Sequence, residues 1–115
     1  MKVSRIIQSV TLLMTLVFAS VAVAQTVTGT ITGQVTDPSG AVVPGAQVVA
    51  HNVSTGVDSP TTTNKDGFYR IQSLPIGHYE VTVQAPGFNK ETIPAFSLEV
   101  LQTANFNVQL KVGSA

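Results

Sequence analysis

The sequence predicts an all-β domain of seven short antiparallel strands, arranged as a sandwich or a barrel and preceded by a helical signal peptide. Three observations lead to this fold class. Polar and apolar residues alternate with a period of two in several short runs. Turn-forming Gly, Pro, Asn and Asp separate these runs at short intervals. After residue 24, no apolar stripe has the spacing of an amphipathic helix.

The first residues have the pattern of a secretory signal peptide. Lys2 and Arg5 supply positive charge ahead of a largely apolar stretch at 6–23. Its strongly apolar part, 10–24, is shorter than the roughly 20 residues that a membrane-spanning helix needs. A cleaved leader is therefore favoured over a membrane anchor.

Small residues close the apolar stretch, so we expect cleavage between Ala24 and Gln25. Residues 1–24 are then the signal peptide and residues 25–115 form one domain. We expect an exported protein, in the periplasm, the outer membrane or the extracellular space. Without cysteine, the domain must depend on its apolar core rather than on disulfides.

Charge excludes one class of partner. The 115-residue chain has six Lys or Arg against six Asp or Glu, and no basic cluster. Binding to a phosphate backbone needs several convergent cations, so nucleic acid is not expected as a partner. We expect contact with a membrane only through a larger partner.

The alternating runs place the strands. They predict strands at 28–36, 46–52, 57–63, 67–72, 78–85, 90–100 and 103–112. The last run alternates most clearly and puts Phe106, Val108 and Leu110 on one face, which should be buried. Pro94 predicts a break in the sixth strand.

Turn chemistry separates the strands. Residues 37–40 (DPSG) read as a type I turn and residues 64–67 (NKDG) as a hairpin turn. Further turns are predicted at 74–77 and 85–87. The polar side chains gathered in 64–83 are therefore interpreted mainly as turn and strand residues.

Two segments resemble a known family. They read GQVTDPSGAVVPGAQVVA and TNKDGFYRIQSLPIGHYEVTVQAPGF, and an alternating strand follows. They resemble the carboxypeptidase regulatory-like domains over nearly the whole mature chain. The resemblance implies a seven-stranded Greek-key sandwich of the transthyretin-like, or carbohydrate-binding-like, fold and no enzymatic activity. The matching positions are mostly core and turn residues, listed here: Gly33, Val35, Asp37, Gly40, Val43, Gly45, Ala46, Val48, Asp66, Gly67, Tyr69, Ile71, Leu74, Gly77, Tyr79, Val81, Gly87 and Phe88.

A signal peptide that leads directly into such a domain resembles the N-terminus of TonB-dependent outer-membrane receptors. In those receptors plug and transmembrane domains follow, whereas this sequence ends at Ala115. The resemblance implies a non-enzymatic accessory module at the bacterial envelope, for protein interaction or structural spacing. A truncated fragment of an outer-membrane receptor remains an alternative.

No residue pattern predicts a catalytic, cofactor or metal site. His51 and His78 lack zinc-site spacing and fall on the outward phase of their strands, where we expect solvated histidines. Asp58, Asn64 and Asp66 raise the possibility of calcium, but the spacing of an EF-hand loop is missing. The hairpin turn explains Asn64 and Asp66.

Two binding hypotheses remain. An exposed sheet edge could accept or donate a strand, and this favours an envelope or secreted protein as partner. The alternative is a carbohydrate, bound on a polar sheet face next to exposed aromatic rings. The candidate binding residues are Phe68, Phe88, Asn105 and Asn107. A merely solvated sheet face would have the same polar pattern.

Overall fold

The computed structural model describes residues 3–10 and 27–113. Residues 3–10 form a short helix inside the predicted signal peptide. Within the described residues, no helix is long and apolar enough to cross a membrane. The predicted cleavage site between Ala24 and Gln25 and most of the apolar stretch lie outside the described residues.

Two sheets form the domain, which confirms the predicted all-β sandwich. The first sheet has the order β4-β1-β7, with β8 also paired to β1, and the second has the order β3-β2-β5-β6. The strands are β1 (Thr28–Thr36), β2 (Gln47–Asn52), β3 (Asp58–Thr62), β4 (Phe68–Pro75), β5 (Gly77–Gln84), β6 (Glu91–Leu98), β7 (Thr103–Asn105) and β8 (Val108–Gln109).

The last predicted strand departs from the sequence-based expectation in two ways. Instead of one antiparallel strand at 103–112, the structure has two short strands, β7 and β8, that both run parallel to β1. Ile31 pairs with Ala104, and Val35 pairs with Val108. The chain reaches this strand from β6 in the other sheet, so it enters beside β1 in the same direction. Alternation along one strand cannot reveal the direction of its neighbour.

Two strand boundaries also differ from the prediction. β4 continues to Pro75 and β5 begins at Gly77, so only Ile76 separates them. β6 passes through Pro94 without ending. The predicted break appears instead as a shift in the pairing of β6 with β5, at a sheet edge where proline is tolerated.

The core lies between the sheets and follows the predicted alternation. In β1 every second residue is buried. Val108 and Leu110 are buried as predicted, and the half-buried Phe106 packs against the core. The rings of Phe96 in β6 and Phe106, which follows β7, lie 4.5 Å apart between centroids, so they contact each other across the two sheets. The buried residues are Ile31, Val35, Val43, Ala46, Val48, Ala50, Tyr69, Ile71, Leu74, Tyr79, Val81, Val83, Ala85, Leu98, Ala104, Val108 and Leu110.

The turn after β1 is held by one carboxylate. Asp37 Oδ1 accepts hydrogen bonds from the backbone N–H of Ser39 at 2.9 Å and of Ala41 at 3.0 Å, and from the Ser39 hydroxyl at 2.6 Å. Gly40 has a φ of 87°, which glycine adopts without strain. The Ser39 hydroxyl bond leads the interactions that lower the pKa of Asp37.

Candidate binding cleft

A cleft of about 550 Å³ lies where the edges of the two sheets approach each other. We call it the β3–β4 cleft. Polar residues from both sheets line it, together with Gly33 and the two aromatic residues Phe68 and Tyr69. The polar lining residues are Thr32, Thr61, Thr62, Asn64, Arg70 and Asn105.

The outer face of the first sheet forms one wall of the cleft. Thr32 in β1 pairs with Arg70 in β4 on one side and with Asn105 in β7 on the other. Asn105 Nδ2 donates a hydrogen bond to Thr32 Oγ1 at 3.1 Å. The Phe68 side chain is 51% exposed, so an aromatic ring stands in water next to these polar groups.

The hairpin between β3 and β4 fixes the position of Phe68. Asn64 Oδ1 accepts hydrogen bonds from the backbone N–H of Asp66 at 2.9 Å and of Phe68 at 3.0 Å. The Asn64 N–H donates to the Phe68 carbonyl at 2.8 Å. Asn64 therefore stabilises the hairpin turn, as the sequence predicts, and also positions the Phe68 ring at the mouth of the cleft.

The backbone of β4 also faces the cleft. Among the described strands, β4 pairs with β1 alone, so its other side is a sheet edge. Both backbone groups of Phe68 point to Asn64 and away from β1. Because backbone groups alternate along an antiparallel pair, the N–H and C=O of Arg70 also point away from β1. Arg70 thus presents a free donor and acceptor pair along this edge.

The other sheet edges in the described part of the chain are less suited to pairing. Pro60 lies in the middle of edge strand β3, and Pro94 lies within edge strand β6. Proline has no N–H and protects an edge against strand addition. β7 has only three residues. β4 has eight residues, and its single proline is the last of them.

The structure brings together two of the four candidate binding residues. Phe68 and Asn105 line the same cleft. The Asn107 side chain is bound within the fold, because its Oδ1 accepts a hydrogen bond from the Gln34 N–H at 3.0 Å. Phe88 was expected to be exposed and is not: it is half-buried and packs against the core. A role in binding stays a prediction for all four residues.

Sequence reasoning assigned no binding role to Arg70, Thr61 and Thr62. Arg70 has a signal in the sequence, because it lies on the outward phase of β4, two residues from Phe68. Thr61 and Thr62 have no such signal in the sequence. They reach the cleft only because the edge of the second sheet lies beside the edge of the first.

The predicted solvated histidine at position 51 has a partner. His51 Nδ1 lies 2.6 Å from Asp58 Oδ1 across the β2–β3 pair, and both side chains are exposed. Such an exposed pair contributes about 1 kcal/mol or less. Among residues 3–10 and 27–113, no three His, Cys, Asp or Glu side chains come together as a metal site would require.

A family model agrees with the motif positions now located in the fold. The model of the carboxypeptidase regulatory-like domain matches residues 30–111. The chain belongs to this family. The carboxypeptidase regulatory-like domain is a non-catalytic domain type. A search of curated protein sequences finds no match.

Solved structures share the fold of this regulatory-like domain at low sequence identity. The TIE protein of Bacillus anthracis is 22% identical over 75% of this chain, with a TM-score of 0.63. Hydroxyquinol 1,2-dioxygenase from Pseudomonas putida is 12% identical over 80% of this chain, with a TM-score of 0.61. A candidate carbohydrate-binding protein from Bacteroides uniformis is 17% identical over 71%, with a TM-score of 0.57.

The regulatory-like domain corresponds to only part of each of these proteins. It spans 17% of the TIE protein, 59% of the dioxygenase and 40% of the Bacteroides protein. The likeness therefore concerns the fold alone.

Proposed function

We propose that this chain is an exported, non-catalytic accessory module of the bacterial envelope that binds a partner protein by strand addition. An extended segment of the partner would pair with the free edge of β4 in the β3–β4 cleft. The resemblance to the N-terminal domain of TonB-dependent receptors supports an envelope location.

The backbone of Arg70 carries this proposal. Its N–H and C=O point away from β1 on an eight-residue edge strand with no internal proline. Strand addition obtains affinity from main-chain hydrogen bonds and specificity from side-chain pockets. Next to this edge, Thr61, Thr62 and Phe68 offer side chains that an incoming strand would contact.

Two substitutions at one position test this mode of binding. Arg70→Pro removes the outward N–H, whereas Arg70→Ala removes the side chain and keeps the N–H. Pull-down from an envelope extract should recover the same partner with the wild type and Arg70→Ala, and at least tenfold less with Arg70→Pro. Circular dichroism should show that both variants keep the wild-type strand signal.

Two results would contradict strand addition. Equal recovery by all three proteins would show that the β4 backbone is not used. Loss of the partner with Arg70→Ala as well would assign recognition to the guanidinium rather than to the backbone.

Carbohydrate is the second candidate ligand, and the exposure of Phe68 favours it. A half-exposed ring next to the Arg70 guanidinium, the Asn105 amide and the Thr32 hydroxyl combines an apolar surface with hydrogen-bonding groups. The likeness to the Bacteroides protein supports the same candidate at the level of fold.

Truncation of the ring tests the carbohydrate alternative. Phe68→Ala should reduce binding of a glycan selected on an array by about tenfold or more, because the contact area of the ring is lost. Leu101→Ala, an exposed residue far from the cleft, should leave the affinity unchanged. Absence of binding to any glycan by the wild type, both on the array and by calorimetry, would remove this candidate.

A further inference from the structure

One end of the sandwich exposes a group of aliphatic side chains, which we call the apolar end. Their exposed fractions range from 44% to 88%, and Leu101 is the most exposed. The apolar end consists of Val27, Val53, Val57, Ile76, Val100 and Leu101.

Backbone contacts place these residues at the same end. The Leu101 N–H donates to the Thr28 carbonyl at 2.9 Å, directly after Val27. Thr28 in turn pairs with Pro75, which precedes Ile76. The start of β1, the β4–β5 connection and the β6–β7 loop therefore meet.

The β2–β3 loop joins the same end. The Val53 N–H donates to the His78 carbonyl at 2.9 Å, two residues after Ile76. The Asn52 N–H donates to the Val57 carbonyl at 2.9 Å and closes the loop. Val53 and Val57 thus extend the exposed aliphatic surface across to the second sheet.

The β6–β7 loop is built to present its apolar residues. The Glu99 N–H donates to Gln102 Oε1 at 2.8 Å, and the Gln102 N–H donates to the Glu99 carbonyl at 3.2 Å. The polar groups at the two ends of the loop thus bond to each other, while Val100 and Leu101 point into water. Leu101 also has a φ of 55°, in the left-handed region that side-chain-bearing residues adopt uncommonly.

The charges indicate what kind of surface would cover this end. Lys65, Lys90 and Lys111 lie in the turns of the opposite end, and Arg70 lies in the β3–β4 cleft. Glu99 is the charged residue within the β6–β7 loop. The apolar end therefore has no positive charge that would attract an anionic partner.

The residue types favour lipid over protein. All six side chains of the apolar end are aliphatic, and binding to a bilayer interface strengthens with the apolar area that is buried in it. Exposed aliphatic loop tips suit shallow insertion at the boundary between headgroups and acyl chains. The apolar sequence stretch at 6–23 precedes Val27, so until the predicted cleavage the leader would hold this same end of the domain next to the membrane.

We propose that the apolar end docks on a lipid bilayer and inserts Leu101, Val100 and Ile76 at the interface. The apolar end has no cations that would bind anionic headgroups. Docking therefore does not require anionic lipid, and zwitterionic lipid is sufficient. The proposal replaces the sequence-based expectation that the chain meets a membrane only through a larger partner. It concerns a surface separate from the β3–β4 cleft, so it does not depend on the proposed function.

An engineered tryptophan provides a direct test, since the natural sequence contains no Trp. The full chain is expressed as Leu101→Trp and, as a matched control at the opposite end, as Val112→Trp; Val112 is 67% exposed. The exported product is collected and its N-terminus is determined by mass spectrometry. Phosphatidylcholine vesicles, with and without brominated acyl chains, are then added.

We expect blue-shifted emission and bromine quenching for Leu101→Trp and neither for Val112→Trp. In flotation with the same vesicles, Leu101→Asp and Ile76→Asp should each lower the partition coefficient about tenfold or more. The reason is that an aliphatic side chain inserted in the bilayer is replaced by a charged one. Val112→Asp should have no effect.

Four outcomes would overturn the proposal. These are no spectral change in either Trp variant, an equal change in both, and binding that requires anionic lipid and disappears in salt. The fourth is a blue shift of Leu101→Trp that grows with protein concentration in the absence of vesicles, which would assign the apolar end to contact with a second copy.

Discussion

At the scale of single residues, Tyr69 connects the two halves of the first sheet. Its hydroxyl donates a hydrogen bond to the Phe106 carbonyl at 2.7 Å, from a side chain that is 3% exposed. Desolvation by burial raises the pKa of Tyr69 to about 12, from an ordinary value of 10.0. The phenol is therefore a hydrogen-bond donor that the fold keeps neutral.

The raised pKa makes the domain sensitive to alkaline pH. The unfolded chain releases the Tyr69 proton from about pH 10, whereas the folded domain holds it until about pH 12. The stabilisation by this residue is thus complete below pH 10 and is lost as the pH rises towards 12. Urea unfolding at pH 8 and pH 11 should show a smaller fall in the free energy of unfolding for Tyr69→Phe than for the wild type.

Tyr69→Phe should also be less stable at pH 8. The Phe106 carbonyl loses its side-chain donor, which costs about 1–3 kcal/mol when the acceptor is buried. An equally steep alkaline loss in the wild type and in Tyr69→Phe would show that another group titrates.

At the scale of elements, the interruption between β7 and β8 follows from a glycine in β1. The Phe106 N–H donates to the Thr32 carbonyl at 2.8 Å, and the Phe106 carbonyl turns inward over Gly33 towards Tyr69. At the next residue a side chain takes the place of the backbone acceptor: Asn107 Oδ1 accepts a hydrogen bond from the Gln34 N–H. The last strand breaks at this point without leaving that N–H unpaired.

Gly33→Ala should therefore disrupt the first sheet. An added Cβ would lie 1.8 Å from the Phe106 carbonyl oxygen and 2.6 Å from the Tyr69 hydroxyl oxygen. Overpacking of this kind costs about 1–3 kcal/mol, and more where the backbone must move, as it must here. The measurement is the free energy of unfolding in urea.

Gly40→Ala is the matched control for this substitution. Gly40 has a φ of 87° and no atom within 4 Å of an added Cβ, so its cost is backbone strain of about 1 kcal/mol. Similar losses for the two variants would show that the backbone around Phe106 shifts to accommodate the methyl group.

At the scale of the whole molecule, surface properties are divided among separate regions. The β3–β4 cleft combines polar groups with an open strand edge, and the apolar end exposes aliphatic loop tips. The two regions occupy different parts of the domain. If both proposals hold, the domain docks on a bilayer by its end while its β4 edge stays open to a partner.

Hydrogen exchange tests this division along the whole chain. The amides of β1, which is paired on both sides, should exchange slowest, and the outward amide of Arg70 should exchange much faster than its paired neighbour Ile71. Addition of a protein partner should slow the exchange of the Arg70 amide. Slow exchange of Arg70 in the free protein would mean that the β4 edge is already covered.

The sequence by itself determined the fold class and most of the core. Alternation placed Ile31, Val35, Val108 and Leu110 inside because successive strand side chains point to opposite faces. The Asp37 and Asn64 turns were also readable, since their hydrogen bonds join residues at most four apart in the chain.

Only the tertiary structure decided the neighbours of each strand. The parallel course of β7 and β8, the packing of the half-buried Phe88 against the core and the cleft shared by Thr61 and Arg70 all depend on contacts between residues distant in the chain. The exposed apolar end arises in the same way, from four segments that no local pattern connects. Local periodicity records which face of a strand is buried, but the direction of pairing and the meeting of loops depend on how the two sheets pack.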